Sequence, residues 1–143
     1  MKDSQNTVIN TTFGAFPIIM GYFKYIGALK SNLDNLLAIL AAIISTIILF
    51  VKDIWALDIA HFLYVFVYLY TVSFLSTNSY LLGLNVLMLA NIILSRFYYG
   101  ECILNKKQKY KGFFSNLNLY FLNWDYKFPA LLILSFYRFL KYV

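Results

Sequence analysis

Apolar residues in this sequence fall into long blocks divided by short polar punctuation, and three blocks have the length of a membrane span. Leu33 to Val51 carries no charge beyond Asp34, makes about 28 Å of helix and stops at Lys52-Asp53. Ile54 to Leu75 follows at about 33 Å and ends at Ser76-Thr77-Asn78-Ser79, a polar turn just long enough to join antiparallel helices. Tyr80 to Tyr99 is the third, closed by Gly100. Each matches a hydrocarbon layer of about 30 Å, and the short connections force an up-down-up arrangement. The first span has a marked start. In Ser31-Asn32-Leu33-Asp34 the Ser31 hydroxyl can accept a backbone N–H while Asp34 reaches back, which is a capping box.

The flanks are less regular. Met1 to Thr12 is polar and without periodicity, and Lys2 is offset by Asp3, so no cleaved secretory signal is expected. Phe13 to Leu29 holds Pro17, Gly21, Lys24 and Gly27 and reaches only about 25 Å. It is expected to lie in the interface or insert partway, in preference to a full span, with Lys24 and Lys30 snorkelling to phosphates. Between Gly100 and Gly112 polarity rises abruptly with Lys106, Lys107, Lys109 and Lys111, and Arg96 stands one turn inside the preceding helix. These lysines read as lipid-headgroup contacts, and the positive-inside rule puts the 100–112 loop on the cytoplasmic or matrix-equivalent side.

Residues 113–143 are interrupted by Asp125, Lys127 and Pro129, so two pieces are predicted. In the first, Phe114, Leu117, Phe121 and Trp124 share one face of an interfacial helix. The second, Phe128 to Val143, makes only about 24 Å and carries Arg138 and Lys141 near its end. It is expected as a short fourth span ahead of a second interfacial helix, because Leu131-Leu132-Ile133-Leu134 is apolar on every face. The predicted fold is all-α: a polytopic integral membrane protein, an antiparallel bundle of three to four transmembrane helices with amphipathic or interfacial flanking helices. Its organisation would be a 1–32 lead-in, a 33–99 core, the 100–112 basic loop and a 113–143 tail.

Composition supports lipid as the solvent. The chain is 62% hydrophobic and 13% charged, against about 45–50% and about 25% in ordinary globular proteins, and a small domain cannot hide such an excess. Twelve Lys and Arg face six Asp and Glu, yet the charges lie between apolar blocks and form no basic arm, so no nucleic-acid partner is expected. A lone Cys102 excludes an internal disulfide and a multi-cysteine metal site within one chain. Abundant Phe, Tyr, Ile, Asn and Lys fit a genome rich in A and T, as in organelles, some endosymbionts and parasites, and many large DNA viruses.

Candidate chemistry is sparse. Ala38, Ala41, Ala42 and Ser45 make a small-residue stripe suited to close helix contact. Asp58, His61, Val65 and Tyr68 share a face of the second span, with Tyr64 adjacent. An ionisable pair there should face protein or a watery cavity, and a structural pairing is the leading reading, with a proton or ion pathway behind it. One His supplies too few ligands for a metal or haem without a partner chain. Asn85, Asn91 and Ser95 can hydrogen-bond across helices. Cys102 is open to palmitoylation but reads more simply as a free thiol, and Asn10-Thr11-Thr12 is a glycosylation match expected by chance. No phosphate-cradling loop, His-Glu-x-x-His, Gly-x-Ser-x-Gly or carboxylate cluster occurs, so no enzyme and no cofactor are expected. The expected function is a non-catalytic accessory subunit of a membrane assembly, in contact with lipid and other membrane subunits. The setting would be an organellar respiratory-type complex or the membrane layer of a large virus. The rival is a small oligomeric channel or transporter using Asp58 and His61.

Overall fold

A computed structural model describes residues 2–99 and 124–143, which form helices with no strand among them. The elements are α1 (Lys2–Tyr25), α2 (Asn32–Phe50), α3 (Ile54–Phe62), a π-helical stretch π1 (Leu63–Leu69), α4 (Tyr70–Leu75), α5 (Ser79–Tyr99) and α6 (Trp124–Tyr142). Three helices are long and apolar enough to cross a membrane: Asn32–Phe50, the composite Trp55–Leu75, and Ser79–Tyr99. They coincide with the three apolar blocks.

Local chemistry sets the helix ends. Ser31 is extended, its Oγ accepts the Asp34 N–H at 3.1 Å, and Asp34 Oδ2 accepts the Ser31 N–H at 3.2 Å, so the capping box forms. Gly27 closes α1 with φ 73°. The Ala28 N–H bonds Phe23 O at 2.8 Å and the Gly27 N–H bonds Lys24 O at 3.1 Å, a Schellman motif. A side chain at that left-handed position would press on the neighbouring carbonyl, which is why glycine stands there.

The predicted second span is not α-helical throughout. In an α-helix residues four apart drift by about 40° around the axis, whereas i→i+5 bonding widens the turn and cancels the drift. Two aligned columns result. Ala60, Tyr64, Tyr68, Val72 and Ser76 are all buried, while Phe62, Phe66, Tyr70 and Phe74 stack along the flank with successive centroids 5.0, 6.1 and 5.9 Å apart.

Contacts fix how α1 lies. Tyr99 Oη donates to Ser4 Oγ at 3.0 Å, Asn91 Nδ2 donates to Thr12 Oγ1 at 2.8 Å, and Phe23 meets Tyr80 with centroids 5.4 Å apart. Every step up α1 is matched by an equal step down α5, so the two helices are antiparallel along nearly their full length. One continuous helix thus takes in both the polar 1–12 stretch, read above as without periodicity, and most of the apolar run that follows it. Ile9, Phe13, Phe16 and Met20 form its buried stripe, and Asn6, Thr7, Asn10 and Thr11 face outward. Reading whole blocks, rather than one face, hid that stripe.

The expected break at Asp125–Pro129 is also absent, since α6 begins at Trp124 and runs through both residues. Pro129 lies near enough to the helix start to interrupt only one backbone hydrogen bond. Phe128 and Leu131 are buried, and Phe139 packs over Gly83 of α5. With Asn85 bonding Ser135, α6 also runs antiparallel to α5. Counting α3, π1 and α4 as one rod, the described residues form five rods of alternating direction. The anticipated helix at 113–123 and the basic loop lie outside the described residues.

Candidate functional site: the buried polar groups

Among the described residues, the buried polar side chains other than Ser45 gather at four places, and three of these are hydrogen-bonded lattices between helices. At the end where α1 leads to α2 and α4 to α5, Asp34 Oδ2 accepts the backbone N–H groups of Lys30 (3.1 Å) and Ser31 (3.2 Å) and the Asn78 amide (2.9 Å). Asn78 Nδ2 also donates to Ala28 O at 2.7 Å, and Asn78 Oδ1 accepts the Tyr80 N–H at 3.0 Å. One carboxylate and one amide thus tie two turns that are far apart in sequence. Lys24 Nζ adds a bond to Asn35 Oδ1 at 3.0 Å.

The second lattice joins α4, α5 and α6. Asn85 Nδ2 donates to Ser73 Oγ and Ser135 Oγ, each at 2.9 Å, and the two serine oxygens are 3.0 Å apart. All three residues are fully buried. Ser73 lies in the last turn of α4, where its carbonyl has no intrahelical donor, and Arg138 Nη1 supplies one at 2.8 Å. The third lattice is the Thr12–Asn91 bond, extended by Ser95 Oγ donating to Asn91 Oδ1 at 3.1 Å.

Asp58, His61, Tyr64 and Tyr68 form the fourth group, and all are buried; Asp58 is 0% and His61 5% exposed. Asp58 lies near the start of its span, yet it is turned into the bundle rather than outward. Tyr64 packs edge-on to Phe13 at 5.2 Å and Tyr68 edge-on to Phe16 at 4.9 Å, so α1 covers this column. Three buried atoms have no hydrogen-bond partner among the described residues: Ser45 Oγ, Tyr68 Oη and Asn85 Oδ1.

Of the small-residue stripe, Ala41 and Ser45 are buried, Ala38 is half-buried and Ala42 is exposed, so it is Ala41 and Ser45 that face the interior. Lys106, Lys107, Lys109, Lys111 and Cys102 lie outside the described residues. Sequence reasoning missed Asn78, Ser73, Ser135, Arg138 and Thr12 as lattice members. A hydroxyl within an apolar run was the available clue for Ser73 and Ser135, since such a group seeks a partner on a neighbouring helix. Among the described residues no group of three or more His, Cys, Asp or Glu is placed to hold a metal ion. Comparison with protein-family models, with curated proteins and with solved structures found no match.

Proposed function

We propose that the chain is an integral membrane protein acting as a non-catalytic accessory subunit of a larger membrane assembly. The observation that carries this reading is the distribution of polarity. Amides and hydroxyls pair in the interior, while Leu36, Phe50, Leu87, Leu94, Phe97 and Ile133 point outward. In water that arrangement would be costly, whereas in acyl chains it is the favoured one. Asn6, Thr7, Asn10 and Thr11 are exceptions on the outside, but they lie level with the last two turns of α5, where headgroups and water begin. We place the end bearing Lys2, Lys52 and Arg96 on the cytoplasmic or matrix-equivalent side, with the basic loop that follows α5.

The flank of stacked rings from Phe62 to Phe74 supports the subunit role, because a rigid aromatic rail gives a neighbour large contact area at small entropic cost. The A- and T-rich residue bias suits an organellar respiratory-type complex or the membrane layer of a large virus. Extraction of native membranes in mild detergent is expected to yield a particle larger than the 16.7 kDa chain with a stoichiometric membrane partner. A stable monomer with nothing co-purifying would remove the subunit reading.

A second reading has its own observation. Asp58 and His61 are buried, and the Ser45 and Tyr68 hydroxyls have no hydrogen-bond partner among the described residues, which suits a small channel or transporter. On this reading proton or ion flux into proteoliposomes falls in Asp58→Asn and His61→Ala. Flux equal to the unmodified chain's would end it.

A further inference from the structure

We infer that the junction of α4, α5 and α6 is a binding site for one water molecule, held by Asn85, Ser73 and Ser135. Hydrogen counting carries the argument. The Asn85 amide gives one hydrogen to each serine oxygen, and the contact between the serines uses one hydroxyl hydrogen. One serine hydroxyl hydrogen is left to place, and Asn85 Oδ1, fully buried, has no donor among the described residues. Turning the amide round does not help: Oδ1 would then collect the hydroxyl hydrogens, and the two N–H groups would face the empty-handed side. In either orientation the junction lacks a partner for the far end of the amide.

Water matches what is missing, because it accepts from the spare hydroxyl and donates to Asn85 Oδ1. The geometry permits the bridge. The amide nitrogen and oxygen are ~2.3 Å apart by covalent geometry, so with both serine oxygens 2.9 Å from Nδ2, Oδ1 lies within ~5 Å of each. A molecule bonded at about 2.8 Å on either side spans that gap. Arg138 Nη1 is anchored beside the junction on Ser73 O at 2.8 Å, and a buried water typically makes about three hydrogen bonds. Arg138 itself is half-buried and sits toward the C-terminal end of α6. The site completes the lattice that docks α6.

The test is water-edited solid-state NMR on the isotope-labelled full chain in lipid vesicles. Magnetisation from water should reach the Asn85 side-chain amide and Ser135 Cβ several-fold faster than the side chains of Leu82 and Leu89, which are equally buried on α5. In Asn85→Leu, the fast transfer to Ser135 should disappear. Build-up at Asn85 as slow as at the leucines would overturn the proposal, and so would a Ser135 that stays wet after Asn85→Leu, since the amide would then not be holding the water.

Discussion

Asp34→Ala is expected to cost about 3 kcal/mol of folded stability. The carboxylate accepts three hydrogen bonds, from Lys30 N, Ser31 N and Asn78 Nδ2, and its residue is buried. Removing it deletes half of a capping box, worth roughly 1 kcal/mol, and takes the acceptor from three part-buried N–H groups, each bond contributing about 0.5–1.5 kcal/mol. Asn78 keeps its bond to Ala28 O, so the loss stops short of the sum. Asp53→Ala is the internal comparison: Asp53 precedes α3, is exposed, and makes no side-chain capping bond, so its loss should stay within about 0.5 kcal/mol. Thermal unfolding in detergent, followed by far-ultraviolet circular dichroism, measures both. Equal stability of the two variants would show that the link between the turns contributes nothing.

Gly83→Leu should cost about 2–3 kcal/mol by wedging α6 away from α5. A Cβ at position 83 would already lie 3.2 Å from the Phe139 ring, so even alanine requires that ring to yield, and leucine requires it to leave. The cause can be separated from a general helix effect. Phe139→Ala should recover part of the loss in the double variant, giving a coupling of opposite sign to the single losses. Gly14→Ala, where an added Cβ meets nothing within 4 Å, should instead be neutral or stabilising by up to about 1 kcal/mol. Unfolding curves for the four variants decide it; a Gly83→Leu chain as stable as the parent would mean that α5 and α6 do not pack closely there.

Both effects arise from close, specific contact, and they bear on the proposed role. A subunit whose outer surface is apolar must keep its own helices together before it meets a neighbour, and in acyl chains apolar area gives no drive to do so. The Asp34 and Asn85 lattices and the Gly83 contact supply direction where the hydrophobic effect does not.

The course of the three apolar helices, the Ser31–Asp34 cap and the shared face of Asp58, His61 and Tyr68 were legible in the residues alone, while the burial of Asp58 so near its span's start was not. These depend on interactions within a few positions along the chain, or on which side of one helix a group falls, and a periodicity of 3.6 residues expresses both. The tertiary structure decided the rest: that α1 is continuous from Lys2 and runs antiparallel to α5, that α6 passes through Pro129, and that Ala41 and Ser45 rather than Ala42 face the interior. It also decided that Asn78 would find Ala28 and Asp34, and that Asn85 would find Ser73 and Ser135. Those pairings depend on how far each helix is rotated and slid against its neighbours. Periodicity along one helix leaves both freedoms open, and packing between helices removes them.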